Sequence, residues 1–178
     1  RVMRAFPHLV EDALTYHGLY NALLEHLRES VRRGFTTAVH VPCSEPLSLE
    51  RCRPYWMSEE PRAFDLELSA TSLPTLLTGP NASGKSTLLR AVLGAVVLAS
   101  CGLRVPAANA RVPPFASLIM RTGASDRPLE DMSAFAVEMA DLRDALACPS
   151  PCLLLLDEFA RGTNGAEGGA RAGAGLEH

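Results

Sequence analysis

Eight consecutive residues constrain this chain more than any others: Gly79-Pro80-Asn81-Ala82-Ser83-Gly84-Lys85-Ser86. They satisfy the pattern G-x-x-x-x-G-K-[ST] at every fixed position. Gly79 and Gly84 let the backbone turn tightly with its N–H groups pointing inward, and a helix starting near Lys85 aims its positive end at the same point. Such a loop cradles phosphates. In it Lys85 reaches the β- and γ-phosphates, Ser86 offers a hydroxyl to Mg²⁺, and Thr87 lies on the α-phosphate side. Gly79, Pro80, Asn81, Ala82, Ser83, Gly84, Lys85, Ser86 and Thr87 are therefore the candidate nucleotide-binding residues. Average residue frequencies place an accidental match in well under about 1% of chains this long.

A phosphate loop needs a carboxylate for the metal and a group to place the attacking water. Cys152-Leu153-Leu154-Leu155-Leu156-Asp157-Glu158 offers both. Its apolar run reads as a buried parallel strand that delivers two acids to the carboxyl end of a sheet, where α/β sites lie. Asp157 is the candidate metal ligand and Glu158 the candidate general base. The plainer alternative is an acidic strand end that caps a neighbouring helix. The paired acids, and the absence of an N-K-x-D guanine-reading motif, argue against GTPases and small-molecule kinases.

The surroundings agree with an α/β reading. Val10, Leu14, Tyr20, Leu24, Leu27 and Val31 recur at helical spacing in residues 9–33, with Gly34 as the C-cap. That helix reads either as a connector to an upstream domain or as a helix packed on this one. Residues 40–62 are rich in Pro, Ser and Cys and look like a linker. Strands are expected at 63–68, 73–78 and 153–156, and helices at 85–101 and 133–147. The apolar run 88–105 is interrupted by Arg90, Gly94, Ser100 and Arg104, which fits a buried helix and not a membrane span.

Composition sets further bounds. Hydrophobic residues make up 47% and charged residues 21%, as in ordinary globular domains, and the net charge of −3 offers no basic excess for a nucleic-acid backbone. Five cysteines without a C-x-x-C read as free thiols. The first residue is Arg1 and not Met, so a piece of a longer protein is expected, with any targeting peptide out of view.

Four motifs in order resemble the ATPase domain of MutS-type DNA mismatch-repair proteins. Leu77-Thr78-Gly79-Pro80-Asn81 through Ser86-Thr87 is similar to that family's phosphate loop. Gly102-Leu103-Arg104-Val105-Pro106-Ala107 is similar to its G-x-x-V-P-A segment, and Ser133-Ala134-Phe135-Ala136-Val137-Glu138-Met139 to its S-T-F-x-x-E-M signature. Asp157-Glu158-Phe159-Ala160-Arg161-Gly162-Thr163 is similar to its D-E-x-x-R-G-T, and the likeness covers roughly residues 50–178. Arg53-Pro54-Tyr55-Trp56 and Cys101-Gly102-Leu103 lean toward the organellar MutS homologues of plants and algae.

The resemblance implies an ABC-type P-loop NTPase with a parallel or mixed sheet flanked by helices. Residues 1–40 would be the end of an upstream helical domain, and 41–178 a MutS-type ATPase domain incomplete at its C-terminus. It implies ATP and Mg²⁺ as cofactors, and a homo- or heterodimer that sandwiches two nucleotides. Glu158, Lys85 and Ser133 would be catalytic, with Ser133 acting on the partner's γ-phosphate. From the residues alone Ser133 reads first as the N-cap of the helix that carries Phe135, Val137 and Met139, and the two roles can coexist. Mismatched double-stranded DNA would be held through domains mostly absent here, and no membrane is implied. A mitochondrion or plastid follows from the organellar likeness, with the nucleus as the alternative.

The sequence also departs from the pattern. Ala82-Ser83 stands where Met-Gly or Gly-Gly is usual, Ala134 where Thr is usual, and Asn164 where Ser is usual. His178 aligns inside a helix and is not the family's switch histidine. Two other readings stay open at this point: a non-catalytic remnant that binds nucleotide or a partner, and another ABC-type ATPase, although no L-S-G-G-Q signature occurs. Tyr55 and Trp56 are candidates for the adenine contact by analogy, or else a packed aromatic pair.

Overall fold

The structure is a computed structural model that describes residues 2–57, 61–69, 74–122 and 134–157. Within them the fold is α/β, with three helices and eight strands. Helix α1 (Val2–Arg32) runs 31 residues, a length of about 46 Å at 1.5 Å per residue. It ends at Gly34, whose φ of 67° lets Phe35 N–H reach back to the Ser30 carbonyl at 2.8 Å.

The face by which α1 docks is not its apolar stripe. Leu14, Tyr20 and Val31 stay 66%, 60% and 71% exposed. From residue 10 onward, where its side chains are described, the buried positions of α1 are His26 and Ser30, four residues apart, and the half-buried Arg33 just beyond the helix continues that line. The Ser30 hydroxyl donates to the Leu27 carbonyl at 2.8 Å, so it enters the interior already paired. Helical periodicity identified the helix, but neighbours chose the face.

Among the described residues the strands form three sheets, one mixed, one antiparallel and one parallel, and a parallel or mixed arrangement is what the sequence leads one to expect. Strand β1 (Thr36–Thr37) pairs antiparallel with β5 (Arg104–Val105). In the four-stranded sheet, β3 (Leu47–Cys52) lies between β4 (Phe64–Leu68) and β6 (Asn109–Val112), antiparallel to both, and β2 (Val39–His40) runs parallel to β6. Strand β7 (Ser117–Thr122) pairs in parallel with β8 (Cys152–Asp157), in register from Ser117↔Cys152 to Thr122↔Asp157.

Two expectations are corrected here. Part of the expected linker 40–62 is β3, with Leu47, Leu49 and Cys52 almost fully buried. Its Pro and Ser content hid a Leu-Ser-Leu alternation of the kind a half-buried strand needs. The expected strand 73–78 is not formed at 74–80, where Leu76 is 86% exposed. Pro74 has no N–H to give, and no strand edge among the described residues pairs with the segment. Apolar composition without a partner edge does not make a strand.

Helix α2 (Lys85–Ser100) holds the domain together. Ala91, Val92, Ala95, Val96 and Ala99 are its buried residues, and the last four join Leu47, Leu49 and Cys52 of β3, Val105, Ala110 and Val112, and Leu153 and Leu155 of β8 in one cluster. Small residues on this face let the helix approach the sheets closely. Helix α3 (Ala134–Leu146) buries Leu142 and Ala145. Among the described residues no helix is long and apolar enough to cross a membrane.

Candidate functional site

The loop between residue 78 and α2 lies open to solvent. It turns twice. Ser83 N–H reaches the Pro80 carbonyl at 3.3 Å, and Leu88 N–H reaches the Gly84 carbonyl at 2.9 Å to start α2. Gly84 has φ 92° and ψ 14°, a left-handed conformation that glycine adopts without steric cost. Ala82 is also left-handed, at φ 62°, where an L side chain costs about 1–2 kcal/mol. The strained position of the substituted pair is thus Ala82, and Ser83 keeps ordinary angles.

Gly84 carries no side chain to bond the first N–H groups of α2, and no side-chain cap is made there. These donors remain available to an anion in front of the helix. The Lys85 ammonium folds over the loop and donates to the carbonyls of Gly79 at 2.8 Å and Pro80 at 2.7 Å. Lys85 is also the only lysine of the chain, which its sequence alone makes plain. The Ser83 hydroxyl lies across the loop, 3.0 Å from where a Cβ on residue 79 would stand.

Asp157 closes β8 opposite Thr122, and the core shared by β8 and α2 ties its strand to the helix that follows the loop. Among the described residues no hydrogen bond or ion pair joins Asp157 to Lys85 or Ser86. Helix α3 begins at Ala134, one residue after Ser133. Ser133 and Glu158 themselves lie outside the described residues. Among the described residues no group of three or more His, Cys, Asp or Glu could hold a metal by itself.

Tyr55 belongs to a different cluster from the loop. Its ring stacks on His26 at 5.7 Å and meets Phe35 at 5.8 Å, so it is a packed aromatic; Trp56 is 52% exposed.

Comparison with known proteins gives the class first. Residues 75–178 match the family described as MutS domain V. That is more than half of the chain, and the chain belongs to the MutS family. Among its relatives is the mitochondrial DNA mismatch repair protein MSH1 of Arabidopsis thaliana, 37% identical over 169 residues, covering 88% of this chain and 15% of that protein. The DNA mismatch repair protein MutS of Shouchella clausii is 43% identical over 115 residues, covering 64% of this chain and 13% of the relative. DNA mismatch repair protein MSH3 of Yarrowia lipolytica is 42% identical over 106 residues, 59% of this chain and 11% of the relative. The chain therefore spans only a small part of the length of these relatives.

Proposed function

We propose that this chain is the nucleotide-binding module of a DNA mismatch repair protein, built as an ABC-type P-loop domain over residues 41–178 behind a connector helix. It binds ATP with Mg²⁺ and hydrolyses it to switch the state of a dimer on mismatched DNA. The observation that carries the reading is the uncapped N-terminus of α2 behind a loop whose lone lysine, among the described residues, is held by two loop carbonyls. An incoming triphosphate replaces those two carbonyls as the partner of Lys85, and the loop N–H groups bind its oxygens.

In this reading Ser86 and Asp157 are the residues that would hold Mg²⁺, as suits a hard cation that takes few protein ligands. When bound, the ion neutralises charge that develops on the phosphates. Glu158 orients and deprotonates the attacking water, and Ser133 approaches the γ-phosphate bound by the partner subunit. The relatives' names support the repair assignment, and the likeness to a mitochondrial protein over most of this chain supports an organellar setting.

The lone lysine supplies the test. An amine-reactive reagent labels Lys85 and the α-amino group, and peptide mass spectrometry separates the two. ATP with Mg²⁺ protects Lys85 selectively, and Lys85→Ala loses most of its ATP affinity. Equal labelling with and without nucleotide, together with unchanged affinity in Lys85→Ala, refutes the loop as a nucleotide site.

A further inference from the structure

A second cleft, of about 110 Å³, opens where α1 meets β3. Its lining includes Arg33, Arg51 and Arg53 with Phe35, Pro106 and Ala107. None of its lining residues belongs to loop 79–87 or to β8, and none is acidic. The register of β3 shifts between Leu49 and Cys52, where Arg51 takes a left-handed φ of 50°; Cys52 returns to the core, and Arg51 and Arg53 on either side of it both line the cleft.

The charges of this cleft are not balanced. Arg33 is the best-fixed of the three, with its side chain 13% exposed. Its guanidinium lies 5.3 Å over the Phe35 ring and donates to the Tyr55 carbonyl at 2.9 Å. Its carboxylate partner, Glu29 at 3.6 Å, is shared with Arg32 at 2.5 Å. Among the described residues the Arg51 and Arg53 guanidinium groups have no hydrogen-bond or ion-pair partner. Asp65, the nearest acid by contact, accepts from the Arg51 backbone N–H at 2.6 Å and not from its side chain. Outside the lining, Arg104 donates to the Phe35 carbonyl at 3.3 Å.

We propose that this cleft is a phosphate-binding site separate from the nucleotide loop. Guanidinium forks match phosphate oxygens in bidentate geometry, and three of them supply more donors than one carboxylate accepts. The cleft is well below the roughly 300–1,000 Å³ of a drug-sized ligand site, so it takes a phosphate group and not a whole nucleotide. The phosphate comes either from free inorganic anion or from a phosphodiester of duplex DNA.

The test titrates inorganic phosphate, by calorimetry, into Lys85→Ala protein, in which the nucleotide loop is disabled. One phosphate site remains there, and adding Arg51→Gln with Arg53→Gln weakens it roughly tenfold or more. Arg51→Lys with Arg53→Lys keeps the charge, folds, and binds more weakly than arginine but more tightly than glutamine. No phosphate binding in Lys85→Ala protein, or binding that neither pair of substitutions alters, overturns the proposal. A short DNA duplex that displaces the phosphate assigns the site to nucleic acid; a duplex that leaves it bound assigns it to free anion.

Discussion

The His26 imidazole lies against the Tyr55 ring with centroids 5.7 Å apart and planes 19° from parallel, and its Nδ1 is 3.3 Å from the Tyr55 hydroxyl. Residues 29 positions apart in sequence thereby join the end of α1 to the segment that follows β3. His26 is 5% exposed, and its Nε2 has no hydrogen-bond partner. A tautomer with the proton on Nδ1, donated to Tyr55, leaves Nε2 as a bare acceptor and avoids burying an unpaired N–H.

Burial holds the His26 pKa below its ordinary value of 6.5. The folded state then binds fewer protons than the unfolded chain between the lowered value and 6.5. Stability from the neutral imidazole is complete above pH 6.5 and is lost as pH falls from there through the folded value. Thermal unfolding followed from neutral to mildly acid pH should show this slope, and His26→Gln should flatten it. Tyr55→Phe should cost about 0.5–1.5 kcal/mol by removing one hydrogen bond. An identical pH slope in His26→Gln would exclude His26 as its source.

The two loop glycines should differ in their tolerance. At Gly84 an added Cβ meets open space, but φ is 92°, so Gly84→Ala is strained by its backbone. At Gly79 the Cβ meets the Ser83 hydroxyl at 3.0 Å, which can rotate away, and the Ser83 Cβ at an ordinary 3.7 Å. Gly84→Ala should lower the melting temperature by the equivalent of about 1–2 kcal/mol, and Gly79→Ala by less. Ala82→Gly should be neutral or stabilising, because relief of the left-handed strain at φ 62° offsets the entropy of glycine. Differential scanning fluorimetry of the three variants, without ligand, orders them; a Gly79→Ala protein less stable than Gly84→Ala would contradict this geometry.

Cys52 should be inert. It is fully buried in the core cluster, and burial pushes its thiol pKa up to about 12. The thiolate that reacts with maleimides is therefore almost absent at neutral pH. Cys43 and Cys101 are exposed. Mass spectrometry of native protein treated with N-ethylmaleimide should find both modified and Cys52 protected until denaturant is added.

Glu158→Gln should retain ATP binding and lose hydrolysis by a factor of roughly 10² or more, since an amide cannot accept the proton of the attacking water. Phosphate release measured beside nucleotide affinity separates the two steps. Full turnover in the variant removes Glu158 from that role.

Some of this molecule was readable from local chemistry. Gly84 was expected as the turn glycine, and Lys85 as the start of a helix, because phosphate-loop spacing and a following apolar run are local signals. The β8 run Leu153–Leu156 was legible for the same reason, as an uninterrupted apolar stretch. Strand β3 was not, because its alternating leucines sit among turn-forming residues. The segment 74–80 misled in the other direction, since a strand depends on a partner edge that no local pattern reveals.

The chain by itself determined the helices and the MutS family, and it carries the loop spacing on which the proposed phosphate chemistry rests; all of these depend on residues close together in sequence. Only the tertiary structure decided that α1 docks through His26 and Ser30 instead of its apolar stripe, and that Arg33 meets Arg51 and Arg53 at one cleft. It also decided that Ala82, not Ser83, bears the left-handed turn of the loop. The physical reason is common to all three. Which face is buried, which charges converge and which residue takes a strained angle depend on neighbours distant in sequence or on the closure of the whole loop. Side-chain periodicity carries no record of them.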